Sequence, residues 1–107
     1  MVEQQSLNIV FRSLADPTRR DILSRLVNGQ QTISELAERY SMSFAAIAKH
    51  INVLERAKLV SKRKNGKEQI ITINGKTFGE ADEYLQQYSI LWSDRFDRLE
   101  NLLKEGK

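Results

Sequence analysis

The sequence predicts a mainly α-helical fold carrying one small β-hairpin, and three observations support that expectation. Apolar residues recur at three- and four-residue steps through the first half of the chain. The period changes to strand-like runs on either side of Asn65-Gly66. Beyond Asn74-Gly75 one apolar stripe continues to Leu103, with Gly79 the only breaker in its path.

Each element has a local cause. Leu7, Val10, Phe11 and Leu14 stand at helical spacing and form the first helix. Asp16 and Pro17 open the second, since Asp accepts from a free first-turn N–H and Pro has no N–H to lose there. Its apolar stripe is Ile22, Leu23, Leu26 and Val27, and Asn28-Gly29 ends it with a residue tolerant of positive φ. In "TISE", Thr32 to Glu35, a Thr cap is followed three residues on by Glu, which is a capping box. Ile33, Leu36 and Ala37 are the buried face of that short helix, and Tyr40 closes it. Ser43 caps the next helix, Ser43–Arg56. There Ile47, Ile51 and Leu54 cluster on one side, flanked by Ala46, His50 and Val53. "LVSKRK-NG-KEQIITIN" is then two strands about a turn whose central pair, Asn65-Gly66, takes positive φ at both residues.

Thr77–Glu105 reads as one long helix. Its stripe is Ala81, Leu85, Tyr88, Trp92, Phe96, Leu99 and Leu103. At 1.5 Å per residue such a helix is roughly 43 Å long, more than the width of the small domain before it. Part of the stripe therefore lacks an intramolecular partner, and a second copy of the chain is expected to cover it.

Composition bounds the function. A chain of 107 residues with 40% apolar content, one Pro and five Gly is expected to be a single domain, 1–107. Residues 6–75 would hold the helices and hairpin, and 77–105 the long helix. With no Cys, disulfides and thiolate metal sites are excluded. No apolar run approaches the ~18 residues that span a bilayer, and the N-terminus lacks a secretory pattern, so a cytoplasmic protein without membrane partners is expected. There is no Gly-rich phosphate loop, no Cys nucleophile–base pair, and one His without an evident partner. No catalytic residue, cofactor or enzyme activity is expected.

The chemistry lies in "TISELAERYSMSFAAIAKHINVLERAKLV", two amphipathic runs broken at "YSMS". Two short helices joined by so tight a turn form a helix-turn-helix, whose second helix fits a major groove about 12 Å wide. The hairpin that follows would make it winged. Arg56, Lys58, Lys62, Arg63, Lys64 and Lys67 supply six cations there, with Glu55 the acid beside them. Such charge neutralises phosphates and releases counterions. The net charge of +3 hides a segregation, for Glu80–Glu105 holds seven acids against three bases.

"LADPTRRDIL", "ISELAERYSMSFAAIAKHINVLERAKLV" and "RKNGKEQIITIN" together resemble the ArsR-type winged helix-turn-helix repressors of prokaryotes, and more narrowly the subgroup that opens "LADPTRR". The resemblance runs from about Leu7 to Asn74. It implies a homodimer on a roughly palindromic double-stranded operator, usually repressing transcription. Ser41, Ser43, Phe44, Ala45, Ala48, Lys49, Asn52 and Arg56 would face the DNA, flanked by wing residues Lys62, Arg63, Lys64 and Lys67. Leu7, Val10 and Phe11 of the first helix would join Leu85, Tyr88, Trp92, Phe96, Leu99 and Leu103 at the dimer contact. A small-molecule or protein effector is left open.

Two departures from the family pattern matter. Members that sense metal use Cys before the recognition helix, or His and carboxylates on the last one. Here the first position reads Thr32-Ile33-Ser34 and the last helix has no His, so no metal sensing is expected. Where the subgroup commonly has "SQPAVSKHL", this chain has "SFAAIAKHI". Phe44, Ala45 and Ala48 offer no hydrogen bonds to base edges, leaving Lys49 and Asn52, the latter suited to adenine. Phosphate contacts and DNA shape would then carry more of the specificity. His50 reads as a core histidine, and Arg19 and Arg20 as partners of Asp16 or Asp21. The competing function is a protein–protein adaptor anchored by Phe44.

Overall fold

The computed structural model describes residues 4–105. In chain order the elements are α1 (Gln4–Ser13), α2 (Pro17–Leu26), β1 (Gln31–Thr32), α3 (Ile33–Ala37), α4 (Phe44–Arg56), β2 (Val60–Asn65), β3 (Glu68–Ile73) and α5 (Gly75–Glu105). The class is mainly helical, as expected. The sheet, however, has three antiparallel strands in the order β1-β3-β2. Two residues are too few to show alternation, so β1 is invisible to periodicity. It exists because Gln31 and Thr32 pair with Ile71 and Ile70.

The helix starts follow local chemistry. Asp16 accepts from the Arg19 N–H at 3.0 Å. Thr32 and Glu35 exchange bonds of 3.1 and 3.0 Å in a complete capping box. Ser43 Oγ accepts from the Ala46 N–H at 3.1 Å. Together these satisfy donors that no intrahelical carbonyl can reach.

The ends are less local. Gly29 takes φ +144° after α2, as its position requires. Val27 does not join the stripe: it caps α2 and is 73% exposed, because the helix stops before a facing element closes over it. At the end of α4 the Leu59 N–H donates to the Leu54 carbonyl at 3.0 Å and the Lys58 N–H to the Glu55 carbonyl at 2.9 Å. This is a Schellman closure with Lys58, at φ +62°, where glycine usually sits. Fully buried Leu54 and Leu59 are the apolar pair that accompanies it.

The hairpin turn also departs from expectation. Asn65 pairs with Glu68, so the central residues are Gly66 and Lys67, and of these only Gly66 has positive φ, +64°. Strand pairing runs one residue further than the Asn-Gly signal implied. Glycine at the first central position is the type II′ requirement.

The core gathers Ile22, Leu36, Ile47, Ile51, Leu54, Leu59 and Ile71, all fully buried. Leu7 and Val10 are also inside, at 3% and 4% exposure. This corrects their expected place at a dimer contact: they are committed to the chain's own interior and have almost no surface left. Helix α5 begins two residues before Thr77, buries Ala81 and rests Phe78 on the core. Its remaining turns extend outward, giving the molecule a long axis of 68 Å against 32 and 23 Å. No helix among the described residues is long and apolar enough to cross a membrane.

Candidate nucleic-acid interface

Helices α3 and α4 are joined by Glu38–Ser43, and α2 braces the joint. The Tyr40 hydroxyl donates to Asp21 Oδ2 at 2.5 Å, Arg25 Nε donates to the same carboxylate at 3.0 Å, and the Arg25 guanidinium lies 5.3 Å from the Tyr40 ring centroid. The Tyr40 hydroxyl, and then Arg25, hold the Asp21 carboxyl below its ordinary range. Partial burial, and then Asp21, push the Tyr40 phenol up.

Arg19 and Arg20 are structural residues, but their guanidinium groups bond main-chain carbonyls and not the side chains of Asp16 and Asp21. Arg19 Nε donates to the Ser13 carbonyl at 2.6 Å and Nη2 to the Arg12 carbonyl at 3.3 Å, while Arg20 Nη1 donates to the Leu14 carbonyl at 2.8 Å. The last carbonyls of a helix lack intrahelical donors and form the negative end of its dipole, which attracts guanidinium. The "DPTRR" run thus starts α2 and closes α1. His50 Nδ1 lies 3.4 Å from Arg19 Nη1 and 3.9 Å from Asp16 Oδ2; the residue is half-buried at the edge of the core, not inside it.

With Ile47, Ile51 and Leu54 committed inward, α4 turns Phe44, Ala45, Lys49 and Asn52 outward, and Ser41 and Ser43 before it are exposed as well. Phe44 is 54% exposed although it is a large aromatic. Ala48 was expected on this face but is half-buried against the core, so it sits at the border of the two surfaces. Arg56, at the far end of α4, faces a cavity of about 520 Å³ lined by Leu7, Val10, Lys58, Lys76 and Ala81. The fold brings it to the junction of α1 and α5.

On the wing, Arg63, Lys64 and Lys67 are exposed and form no ion pair among the described residues, and the same holds for Lys49 on α4. Lys62 behaves differently. Its Nζ donates to Asn52 Oδ1 at 2.6 Å and lies 3.4 Å from Glu55 Oε1. Sequence reasoning missed Glu55 in this role. Asn52 and Glu55 stand three apart on one helix face, but nothing local says that a strand residue bridges them.

Along α5, Leu85, Tyr88, Phe96, Leu99 and Leu103 are exposed, as are Leu91 and Leu102, which widen the stripe. The Trp92 side chain lies outside the described residues. Phe11 is half-buried with its ring 6.1 Å from that of Tyr84, and Ile9 is the exposed apolar residue of α1. Among the described residues no group of His, Cys, Asp or Glu is placed to hold a metal ion.

A tight helix pair followed by a cationic hairpin packed on its second helix defines a winged helix-turn-helix protein. Comparisons with known proteins agree. A family described as a helix-turn-helix domain matches residues 14–63. The transcriptional repressor SdpR of Bacillus subtilis (strain 168) is 35% identical over 82 residues, 77% of this chain and 91% of the repressor. A crystal structure of an ArsR family transcriptional regulator superposes with a TM-score of 0.80 at 35% identity, covering 86% of this chain and 95% of that one. An ArsR-like transcriptional regulator from Rhodococcus sp. RHA1 gives 0.76 at 33% identity, covering 92% of each. The chain belongs to the ArsR family of winged helix-turn-helix transcriptional regulators. Membership implies a non-enzymatic role.

Proposed function

We propose that two copies of this chain bind one roughly palindromic DNA operator and repress transcription from it. Helix α4 enters the major groove with Phe44, Ala45, Lys49 and Asn52 toward the bases, Ala48 at the edge, and Ser41 and Ser43 toward phosphate. Arg63, Lys64 and Lys67 hold the flanking backbone. The chain acts as one domain. Its partner copy is held along α5 by Leu85, Tyr88, Leu99 and Leu103, with Ile9 and Phe11 of α1 alongside. A sequence with no Cys and one His, and with Thr32-Ile33-Ser34 where metal sensors carry Cys, supports reading the chain as one of the non-metal "LADPTRR" subgroup.

The observation that carries this reading is the set of four cations, Lys49, Arg63, Lys64 and Lys67, left without ion pairs among the described residues, beside a helix whose apolar face is already committed. The test is binding to selected duplexes across a salt series. The three wing cations give three phosphate contacts per copy and six per dimer, for a slope of log affinity on log salt of about −5. Exposed Phe44 favours the rival reading, a protein–protein adaptor. Absent or salt-insensitive duplex binding would favour that rival.

A further inference from the structure

We infer that Lys62 sets the base preference of the recognition helix by occupying the Asn52 carbonyl, and is not itself a phosphate contact. The inference rests on the reading of α4 as the groove-entering helix. An ammonium has three donors and no acceptor. The Asn52 atom 2.6 Å from Lys62 Nζ is therefore the carbonyl oxygen, and the amide nitrogen is left free. Glu55 Oε1, 3.4 Å away, balances the charge, and only 24% of the Lys62 side chain is exposed. Strand register explains the difference from its neighbours. Lys62 pairs with Ile71, on the sheet face shared by Val60 and Ile73. Arg63 projects from the opposite face, and Lys64 and Lys67 lie at the exposed tip.

The consequence is chemical. Asparagine reads adenine by accepting from the N6 amino group while donating to N7. Here one lone pair of that oxygen is taken, and the adenine amino group would have to approach the same oxygen beside the Lys62 ammonium. Asn52 is left with two N–H donors, which match N7 and O6 of guanine. The clasp turns an adenine reader into a guanine reader. Lys62, its charge already satisfied by Glu55, releases no counterion when DNA arrives.

The test selects the wild-type site from a randomised duplex pool, then measures binding of full-length variants to all four base pairs at each position over several salt concentrations. Wild type should prefer G·C at one position in each half-site. Lys62→Met should shift that position toward A·T by about tenfold, the lower range for a good bidentate pair, with the salt slope unchanged. Lys64→Met should keep the preference and reduce the slope by about 0.9 per copy. In an Asn52→Ala background, Lys62→Met should leave the preference unmoved. A Lys62→Met slope that falls like that of Lys64→Met with the preference intact overturns the inference, as does a shift that survives in Asn52→Ala. Wild type that binds no duplex removes the DNA-binding reading itself. Should Lys62→Met not fold, amine acylation of the wild type decides. Lys62 should react more slowly than Lys64 already in the free protein, before any duplex is added. Protection of Lys62 only on duplex addition would overturn the clasp.

Discussion

Replacing Arg19 by alanine should destabilise the chain by about 2 kcal/mol, and the figure follows from what each bond leaves behind. The Ser13 carbonyl receives Arg19 Nε at 2.6 Å, and Ser13 is 1% exposed. A buried acceptor stripped of a charged donor costs about 1–3 kcal/mol. The Arg12 carbonyl loses less, because it also accepts from the Ala15 N–H at 3.1 Å. The contact with His50, at 3.4 Å, is long and adds little. Urea unfolding followed by circular dichroism, at one fixed protein concentration because dimerisation adds mass action, should lower the midpoint by roughly 1 M. Arg19→Lys keeps the charge but not the fork, so it should recover about half the loss. If Arg19→Ala stays within about 0.5 kcal/mol of wild type while duplex affinity falls, the guanidinium serves phosphate and the closure of α1 has been misread.

Three further outcomes follow from the same geometry. Leu99 is 52% exposed on α5, and covering that exposed half is worth about 1 kcal/mol per copy; Leu99→Ala should therefore weaken the dimer roughly thirtyfold by sedimentation equilibrium, and an unchanged constant would displace the proposed contact. Lys58→Gly should stabilise by about 0.5–1 kcal/mol in thermal unfolding, since glycine relieves the φ of +62° at some cost in unfolded-state entropy. Asp16 is held below the ordinary carboxylate range, first by the Arg19 backbone N–H it accepts, so its contribution is present above about pH 4 and is lost as pH falls through the lowered value. Asp16→Asn should match wild type near neutrality, because Asn caps as well, and should lose less stability between pH 5 and pH 2.5; equal acid sensitivity would deny the charged cap its role.

Much of the fold was legible because its causes sit within four residues of each other. The Thr32/Glu35 capping box, the Asp16-Pro17 start, the Ser43 cap and the Ile47/Ile51/Leu54 stripe are all pairings of that range. The exposed polar face of α4 follows from the same period, read from the other side. The overhang of α5 was a matter of length alone. What went astray was decided across larger separations. Val27 continues the stripe of α2 in sequence yet meets no covering element. Leu7 and Val10 look like interface residues until α1 is seen folded onto its own core. The turn shifted by one residue because pairing along β2 and β3, not the Asn-Gly dipeptide, chose its centre.

The candidate site divides in the same way. That Lys49, Asn52 and the wing cations share one end of the molecule could be foreseen from helix period and charge. That Lys62 is withdrawn from them into a clasp with Asn52 and Glu55 could not. The linear chain settled which residues start helices, which face inward and where charge gathers, since short-range hydrogen bonding and periodic burial act along the backbone. Only the folded arrangement decided which polar groups already have partners. A hydrogen bond of 2.6 Å between a strand and a helix depends on how those two elements are set against each other, and that is determined by the whole core at once.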